Sequence, residues 1–367
     1  MDVWVTGLGV VSCLGPEWWS ALLAGRPGLR VAQPFAQIPA YPLGLVGDRP
    51  AEWAVLLQEA LHLALTDGGW CSPLENCGLV LGSSRGQQAQ WEAWLAHGSV
   101  APDAWLQGFP NWPAGRIAHA LGITGPVTAV TTACTTGIWS VALAWEWLHL
   151  GLCERVVVAL VETPITPMNL AGFGQMGALA ATGVYPFDRA RQGLALGEAA
   201  VVLLLERANS RPAGRVYGQV LGFGLGNDAQ TMTTPGENPQ PAMTAIHTCL
   251  HHAHLTATDC DLIHAHATGT RRNDGREARL IATLFPQDPW ILSTKGATGH
   301  SLGAATGLAT ATTLMALHHQ TLVPCVGLRD PEVPLNYAAC GRPAEVETAL
   351  VLGFGFGGQI GVLALGR

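Results

Sequence analysis

Short apolar runs alternate with helical patterns along most of the chain, and polar or glycine-rich turns separate them. An apolar run bounded by turn signals predicts a buried strand, whereas apolar residues recurring every three or four positions predict an amphipathic helix. From Pro126 the order is strand, turn, helix and strand, which predicts a βαβ unit and therefore a parallel sheet. The segments predicted as strands are 3–6, 78–81, 126–130, 156–161, 200–205, 261–265, 290–293, 348–352 and 360–365, and the predicted helices are 52–65, 87–97, 138–150 and 301–317.

The second half of the chain repeats the organisation of the first. In each half a reactive side chain, Cys134 or His300, comes just before an apolar helix of small residues. A polar segment with Pro and Gly, residues 209–214, separates the two patterns. We infer two related α/β halves that meet at a shared site, with domains over residues 1–210 and 211–367.

The composition is typical of a large, well-packed globular protein. Of the 367 residues 49% are hydrophobic and only 12% are charged, which indicates an extensive buried core. The net charge of −7 argues against nonspecific binding of nucleic acid. The uncharged stretch 127–145 is long enough to span a membrane, but its five threonines make it a poor span. A buried strand followed by a buried helix is predicted there instead.

The cysteines and the N-terminus favour a cytoplasmic protein. The chain has nine cysteines, an odd number, and the N-terminus lacks the basic region of a signal peptide, so reduced thiols are expected. There is no CxxC motif, and the histidines of HHAH (residues 251–254) have no Cys or carboxylate at ligand spacing, so no metal site is predicted. Lys295 is the only lysine, which suggests a specific need for an amine there; a lysine-poor genome is the alternative explanation.

Two short motifs suggest other classes of protein. Residues 82–86 (GSSRG) fit the GxSxG elbow of serine hydrolases, but no acid partner stands out, and a tight strand-to-helix turn explains them equally well. Residues 7–12 (GLGVVS) follow a strand, as a dinucleotide-binding loop does, yet they lack the third glycine and an acid about 20 residues further on. Both interpretations are therefore weak.

Cys134 is the strongest candidate for a nucleophile. It lies among Thr, Ala and Gly at the predicted start of a helix, where the helix dipole and free N–H groups lower a thiol pKa from about 8.5. The alternative is a buried cysteine that acts only as a small hydrophobic residue, which we predict for most of the other eight. What distinguishes Cys134 is its combination with His266, and with His300 close to Lys295.

Five motifs support a family resemblance when they are taken together and in order. They are TACTTG, PFDRARQGLALGEAA, HATGTRRNDGREA, STKGATGHSLGAATG and GFGFGG. This set resembles the β-ketoacyl-acyl carrier protein synthases, which are condensing enzymes of the thiolase fold, and in particular the elongating type with a Cys-His-His site. The segments VTGLGVVSCLG and GNDAQTMTTP also fit, so the likeness spans nearly the whole chain. It implies an α/β, thiolase-like fold of two related halves in a five-layer αβαβα arrangement.

The resemblance also implies three catalytic side chains. Cys134 matches the nucleophile that accepts an acyl group from a carrier-protein or CoA thioester. His266 and His300 match the two histidines that promote decarboxylation of a malonyl extender. Loss of CO₂ leaves an enolate whose oxygen needs hydrogen-bond donors, and two imidazoles supply them. The resulting carbanion then attacks the acyl-Cys134 carbonyl in a Claisen condensation.

The oxyanion of that condensation also needs donors. The resemblance assigns them to the backbone N–H groups of Cys134 and Phe356, and it identifies Phe356 in GFGFGG as a gate for acyl entry.

A fourth catalytic residue, Lys295, and several supporting residues follow from the same resemblance. Lys295 matches an active-site lysine, and we expect Asp274 and Glu277 to act as the acids behind it. Thr268 and Thr270 match threonines that contact the phosphopantetheine arm of the substrate.

The sequence departs from the family pattern at several positions. Ala267 follows His266 where glycine is common, and its methyl group is expected to narrow the channel for the arm. Tyr185 stands where a carrier-docking arginine is expected. Frequent polar residues are replaced at His264, Ala309 and Ile360. The densest basic cluster, which we take as a hypothetical docking surface for the carrier, consists of Arg271, Arg272, Arg276 and Arg279.

The sequence thus predicts a cytoplasmic β-ketoacyl synthase, an acyltransferase of the 3-oxoacyl-[acyl-carrier-protein] synthase type. It would extend an acyl group on Cys134 by two carbons from malonyl-acyl carrier protein, in fatty-acid or polyketide-like synthesis. No cofactor or metal is expected, because the substrates are carried on the phosphopantetheine of acyl carrier protein. A homodimer, or a heterodimer with a second synthase-like subunit, is expected, with no nucleic-acid partner.

The alternative is a non-catalytic, chain-length-factor-like subunit of a heterodimeric synthase; such subunits usually lack the nucleophile. A thiolase matches less well, because no second cysteine lies near GFGFGG.

Overall fold

The structure is a computed structural model that describes residues 2–98, 100–209, 212, 214–233 and 236–367, with residues 102 and 103 described by backbone alone. The predicted boundary between residues 210 and 211 lies outside the described residues, as do the last two residues of GNDAQTMTTP.

The predicted order of elements is present; six of the nine predicted strands are longer than the sequence indicated, and the strands predicted over 126–130, 261–265 and 290–293 are shorter. The strands are β1 (Asp2–Ser12), β2 (Arg30–Ala32), β3 (Tyr41–Leu43), β4 (Cys77–Gly82), β5 (Val127–Val130), β6 (Arg155–Glu162), β7 (Ala199–Ala208), β8 (Gly218–Asn227), β9 (Leu262–His264), β10 (Trp290–Leu292), β11 (Thr321–Leu322), β12 (Arg342–Pro343), β13 (Thr348–Gly355) and β14 (Gln359–Gly366). The helices are α1 (Trp18–Leu23), α2 (Trp53–Gly68), α3 (Gln88–His97), α4 (Pro102–Gln107), α5 (Trp112–Leu121), α6 (Thr136–His149), α7 (Pro167–Gln175), α8 (Gln240–His252), α9 (Arg271–Leu284), α10 (Lys295–Thr298) and α11 (Ala305–His319).

Ten strands form one sheet in the order β10-β9-β13-β14-β8-β1-β7-β6-β4-β5. Its two halves have the same topology, since each has three parallel strands followed by two antiparallel ones. The halves join where β1 pairs with β8, through Trp4 with Gln219 and Val5 with Gly218. The inference of two related α/β halves is therefore confirmed.

The two halves of this sheet form two separate layers, and helices pack outside each layer and between the two. Helix α2 packs on β1, β6 and β7, and α8 packs on β8 and β14. Between them α6 and α11 contact each other and strands from both halves. The layers are therefore helix, sheet, helix, sheet and helix, as the resemblance implied.

This packing excludes the dinucleotide-binding interpretation of the GLG motif and corrects the start of one predicted helix. The GLG motif lies inside strand β1, where a Cβ added at Gly9 would lie 2.0 Å from the carbonyl oxygen of Ala60 in α2. These glycines therefore allow close strand–helix contact and do not form a phosphate loop. The helix predicted over 301–317 begins later than expected, because a 3₁₀ turn (Leu302–Ala304) precedes α11.

Central helices α6 and α11 approach almost to backbone contact. A Cβ added at Gly137 would lie 2.5 Å from the backbone nitrogen of Gly307 and 2.8 Å from Thr306 Oγ1. Thr306 Oγ1 also accepts the N–H of Ile138 at 3.3 Å and donates to the carbonyl oxygen of Cys134 at 3.4 Å. This contact ties the start of α6 to the start of α11.

We predict that Gly137→Ala destabilises the fold by about 1–3 kcal/mol, the usual cost of overpacking a core. Urea denaturation measures the change. Gly115→Ala in α5 is the matched control, because nothing lies within 4 Å of its added Cβ. There the better helix propensity of Ala is expected to stabilise by up to about 1 kcal/mol. Equal effects of the two substitutions would contradict the proposed contact.

Candidate active site

Cys134 lies in the sharp turn between β5 and α6. Ala133, just before it, has φ +49°, a left-handed conformation that costs about 1–3 kcal/mol in a residue other than glycine. The hydroxyl of Thr136 accepts the N–H of Thr132 at 2.9 Å and donates to the carbonyl oxygen of Ala133. These bonds hold the strained turn and position the thiol at the start of the helix.

His266 follows β9, and His300 follows the short helix α10 beyond β10. The N–H of His300 donates to the carbonyl oxygen of Ala195 at 2.7 Å, and its carbonyl oxygen accepts the N–H of Gly197 at 3.1 Å. His300, from the C-terminal half, is therefore fixed by backbone bonds to the N-terminal half. Leu302 and Ala267, close to the two histidines, also have left-handed φ angles of +40°.

The side chains of Cys134, His266 and His300 line one cavity of about 600 Å³. The rings of His266 and His300 are nearly perpendicular, with centroids 5.5 Å apart. Phe356, Thr268 and Thr270 line the same cavity, whose wall also includes apolar side chains such as Phe173 and Leu302. The structure therefore brings together the residues predicted to act as the nucleophile, the two catalytic histidines, the gate and the threonines of the arm.

The expected sign of the shift in the Cys134 pKa is wrong. Burial raises the pKa of the thiol to about 11, although Lys295 and a hydrogen bond from the Phe356 N–H both lower it. Loss of solvation of the thiolate therefore outweighs the favourable charges and dipoles around it. At neutral pH the residue is a thiol, and its attack needs a nearby proton acceptor.

Both histidines are suited to accept a proton or to donate one hydrogen bond. Burial lowers the pKa of His266 and of His300 well below 6.5, and the charge of Lys295 lowers both further. Each is therefore a neutral imidazole with one N–H. Within the described chain, the Nδ1 atoms of both rings are buried without a hydrogen-bond partner. A buried N–H without an acceptor is rarer than a buried acceptor without a donor, which favours the proton on Nε2.

Lys295 and Glu277 both form hydrogen bonds with the backbone of His266. Lys295 Nζ donates to the His266 carbonyl oxygen, while the Glu277 carboxylate accepts the N–H groups of His266 and Ala267 at 2.6 and 2.8 Å. Burial lowers the pKa of Lys295 to about 8 and raises that of Glu277 to about 7. Lys295 and Glu277 therefore both bind the backbone segment that carries the His266 ring.

Asp274 connects the same loop to the N-terminal half. Its carboxylate accepts the N–H of Phe187 at 2.9 Å and that of Gly269 at 3.1 Å, and burial raises its pKa. Asp274, Glu277 and Lys295 are all buried and do not line the cavity, and the supporting role expected for the two acids stays a prediction.

The glycine-rich loop lies directly against Cys134. A Cβ added at Gly355 would be 3.1 Å from the Cys134 nitrogen, so only a short gap separates the two backbones. Gly357 and Gly358 have φ angles of +75° and +72°, which glycine adopts without strain. The Phe356 ring stacks obliquely on Phe173, with centroids 5.9 Å apart.

The side chain of Ala267 does not narrow the channel. It is fully buried in the hydrophobic cluster around Phe187 and Ile291 and is absent from the cavity wall. The left-handed φ of Ala267 turns its methyl group into the core, which corrects the expectation from the sequence. Thr268 and Thr270, in contrast, line the cavity, and their hydroxyl groups bond each other at 2.9 Å.

Sequence reasoning missed the buried Glu162 at the end of β6. Its carboxylate accepts the hydroxyl of Ser83 at 3.0 Å and the N–H groups of Ser84 and Gly303 at 2.7 and 3.0 Å. The GSSRG turn is therefore bound to this acid, and Ser83 donates to a carboxylate and not to a histidine. A lone acid ending an apolar strand was the signal that could have identified it.

No group of three or more His, Cys, Asp or Glu residues in this part of the chain is arranged to hold a metal ion. No helix among the described residues is long and apolar enough to cross a membrane.

The fold and the site together define the class of protein: a thiolase-like enzyme fold with a Cys-His-His cavity at the junction of its halves. Residues 49–211 match the family model "Beta-ketoacyl synthase, N-terminal domain", and residues 217–329 match "Beta-ketoacyl synthase, C-terminal domain". The chain therefore belongs to the β-ketoacyl synthase family, and the resemblance seen in the sequence is confirmed.

Individual relatives align along nearly the full chain. A 3-oxoacyl-[acyl-carrier-protein] synthase 2 of Coxiella burnetii (strain RSA 493 / Nine Mile phase I) is 31% identical over 405 residues, which covers 99% of this chain and 98% of the relative. The tetracenomycin polyketide synthase ketoacyl synthase alpha subunit of Streptomyces glaucescens is 30% identical over 411 residues, covering 99% and 96%. The solved structure of the ishigamide ketosynthase/chain length factor matches with a TM-score of 0.90 at 28% identity, covering 100% of this chain and 99% of that one.

We predict that Lys295→Met slows alkylation of Cys134 by iodoacetamide. The substitution removes a positive charge that lowers the thiol pKa, and one pKa unit corresponds to about a tenfold change in thiolate population. The difference should be largest below about pH 8 and shrink above it, because Lys295 itself then loses its proton. Peptide mass spectrometry measures the rate, with the exposed Cys71 and Cys340 as internal standards. An unchanged ratio of Cys134 to Cys71 labelling would contradict the coupling.

Proposed function

We propose that the chain is a β-ketoacyl synthase that joins an acyl group on Cys134 to a malonyl unit carried by acyl carrier protein. The observation that supports this most strongly is the single cavity shared by Cys134, His266 and His300, in a chain of this family. The relatives named as 3-oxoacyl-[acyl-carrier-protein] synthases support the same substrate class.

The first step is transfer of the acyl group. Cys134 Sγ attacks the thioester carbonyl, a new C–S bond forms, and the bond to the thiol of the carrier arm breaks. The Cys134 proton passes to the departing thiolate, and a neutral histidine at the cavity is suited to relay it. Lys295 and the Phe356 N–H stabilise negative charge at the sulfur, which offsets part of the cost of burial.

The second step is loss of CO₂ from the malonyl thioester. The C–C bond to the carboxylate breaks, and its electron pair forms an enolate. In our proposal the Nε2–H groups of His266 and His300 donate to the enolate oxygen. Neutral rings suit this role, because a fully charged imidazolium would protonate the enolate more readily. The backbone clamp of Lys295 and Glu277 keeps the His266 ring in position.

The third step forms the new carbon–carbon bond. The enolate carbon attacks the acyl-Cys134 carbonyl, and the N–H groups of Cys134 and Phe356 are proposed to bind the oxyanion. Collapse expels the Cys134 thiolate, which takes up one proton, and the 3-oxoacyl chain stays on the carrier arm. One proton is therefore consumed for each CO₂ released.

The remaining assignments concern access to the cavity. Phe356 is proposed as the gate, because it packs on Phe173 at the cavity and is followed by two glycines with positive φ. Thr268 and Thr270 are proposed to bond the amides of the phosphopantetheine arm. The site needs no cofactor or metal for this chemistry, since the thioester and the carboxylate supply the reactive groups.

Partners and location are also part of the proposal. A homodimer, or a heterodimer with a second synthase-like subunit, is supported by strand β5, which ends the ten-stranded sheet close to Cys134 and has one edge that pairs with no strand of the described residues. A cytoplasmic location is supported by nine cysteines that are all free thiols.

The domain boundary near residue 210 remains a proposal, supported by family matches that end at residue 211 and resume at 217.

We predict that the two kinds of catalytic residue separate two partial reactions. Cys134→Ala should abolish the mass gain on incubation with acyl-carrier thioesters but still decarboxylate malonyl-carrier protein. The single variants His266→Ala and His300→Ala each retain one histidine that can relay the Cys134 proton, so each should still accept an acyl group. Each should decarboxylate about 10²–10⁴ times more slowly, the usual contribution of a catalytic acid or base. Intact-mass spectrometry and CO₂ release measure the two reactions.

The matched controls are His266→Gln and His300→Gln, whose amide retains an N–H donor and should recover part of the decarboxylation rate. If Cys134→Ala still gained the acyl mass, Cys134 would not be the nucleophile. If the wild-type chain accepted no acyl group from any thioester while remaining folded, the alternative of a chain-length-factor-like subunit would be favoured.

A further inference from the structure

Three arginines near the start of α9 line the mouth of the catalytic cavity: Arg271, Arg272 and Arg276, here called the arginine rim. Arg271 and Arg272 are exposed, while Arg276 is half-buried. The chain has a net charge of −7, so three cations at one opening are a local departure from its overall character.

None of the three guanidinium groups forms an ion pair with a carboxylate in the described part of the chain. Arg276 donates from Nη2 to the carbonyl oxygen of Asn238 at 3.0 Å, but its Nε atom is buried with no partner among the described residues. Arg279, from the same helix, differs in both respects: it pairs with Glu332 at 3.7 Å and does not line the cavity. The rim therefore retains donors for a ligand.

The one acid among the described cavity-lining residues neutralises the rim only in part, although its charge acts on Arg276. Asp228 lines the cavity, but its two carboxylate oxygens accept the N–H groups of Gln230 at 3.1 Å and Gly236 at 3.0 Å. An anion entering the mouth would therefore meet three cations whose charge is only partly balanced.

The position of the rim follows from the path of the chain after β9. Exposure increases along it, from His266 at 2% and Thr268 at 6% to the half-buried Thr270 and the exposed Arg271. The sequence of contacts from the cavity floor to the mouth is thus imidazole, hydroxyl, hydroxyl and guanidinium. A substrate with a thioester at one end, amides in the middle and an anion at the far end would match this order.

We propose that the arginine rim binds the phosphate of the phosphopantetheine arm, an inference that rests on the function proposed above. Arginine presents a planar fork of donors that matches two phosphate oxygens, which a lysine does not. Arg276 is recessed into the cavity wall, where a thin arm reaches it and the surface of a folded carrier does not. The phosphate thereby sets how far the arm enters, and so where the thioester stops relative to Cys134.

The test measures binding without turnover. In the Cys134→Ala chain, calorimetry compares 4′-phosphopantetheine with pantetheine, two ligands that differ only in the phosphate. We expect the phosphate to improve the Kd by about tenfold, which corresponds to about 1.4 kcal/mol. Arg271→Gln/Arg272→Gln/Arg276→Gln should bring the ratio of the two Kd values close to one, and added salt should reduce it. Arg279→Gln is the matched control and should leave the ratio unchanged.

Three results would overturn the proposal: no preference for the phosphate in the parent chain, a preference that survives the triple substitution, or an equal loss of affinity for apo-carrier protein, which lacks the arm. The last would identify the rim as a protein-docking surface. If Arg276→Gln impaired folding, the double substitution at the two exposed arginines is expected to lower the ratio at least threefold. Failure of the proposed function is seen separately, as absent acyl transfer from every thioester while the phosphate preference persists.

Discussion

The near-contact of α6 and α11 between the two half-sheets is the constraint on which the site depends. Helices with large side chains would stay about 8–10 Å apart, whereas Gly137 faces the backbone of Gly307 with no room for a methyl group. Cys134 immediately precedes one of these helices, and His300 precedes the 3₁₀ turn that leads into the other. Packing the two helices together therefore brings both reactive side chains to the junction of the halves.

Burial at that junction also determines the electrostatics. Removal from water holds both histidines neutral and keeps Cys134 protonated, so the three proposed catalytic groups are uncharged before substrate binds. The charged side chains of Lys295 and Glu277 form hydrogen bonds with backbone groups of the His266 loop. A buried cation there lowers the stability of the fold, but it also lowers the free energy of the Cys134 thiolate that the proposed mechanism requires. This gives the single lysine of the chain a physical role.

Much of the fold follows from the sequence, because the apolar runs that form β4, β6, β7, β13 and β14 are long and uninterrupted. Strand β8 was missed because its glycines resemble a loop. The structure shows why they are needed: a Cβ added at Gly224 would lie 1.9 Å from the carbonyl oxygen of Ala245 in α8. Local propensity disfavours such a strand, and only tertiary packing makes it necessary.

The site divides in a similar way between what the sequence predicts and what it does not. The motif residues around Cys134, His266 and His300 could be chosen from their pattern, since few residue types support this chemistry. The sign of the Cys134 pKa shift could not, because it depends on burial by residues distant in the sequence. The outward or inward direction of the Ala267 methyl group depends on one backbone angle, φ +40°, which no motif encodes.

In the proposed mechanism one cavity both holds the acyl group and generates the carbanion that attacks it. The most direct test supplies an acyl-carrier thioester together with malonyl-carrier protein labelled with ¹³C at every malonyl carbon, and analyses the product by mass spectrometry. We predict a 3-oxoacyl product that carries two labelled carbons, with the third released as labelled CO₂. Acylation of Cys134 and release of CO₂ without this product, from a folded chain, would contradict the account.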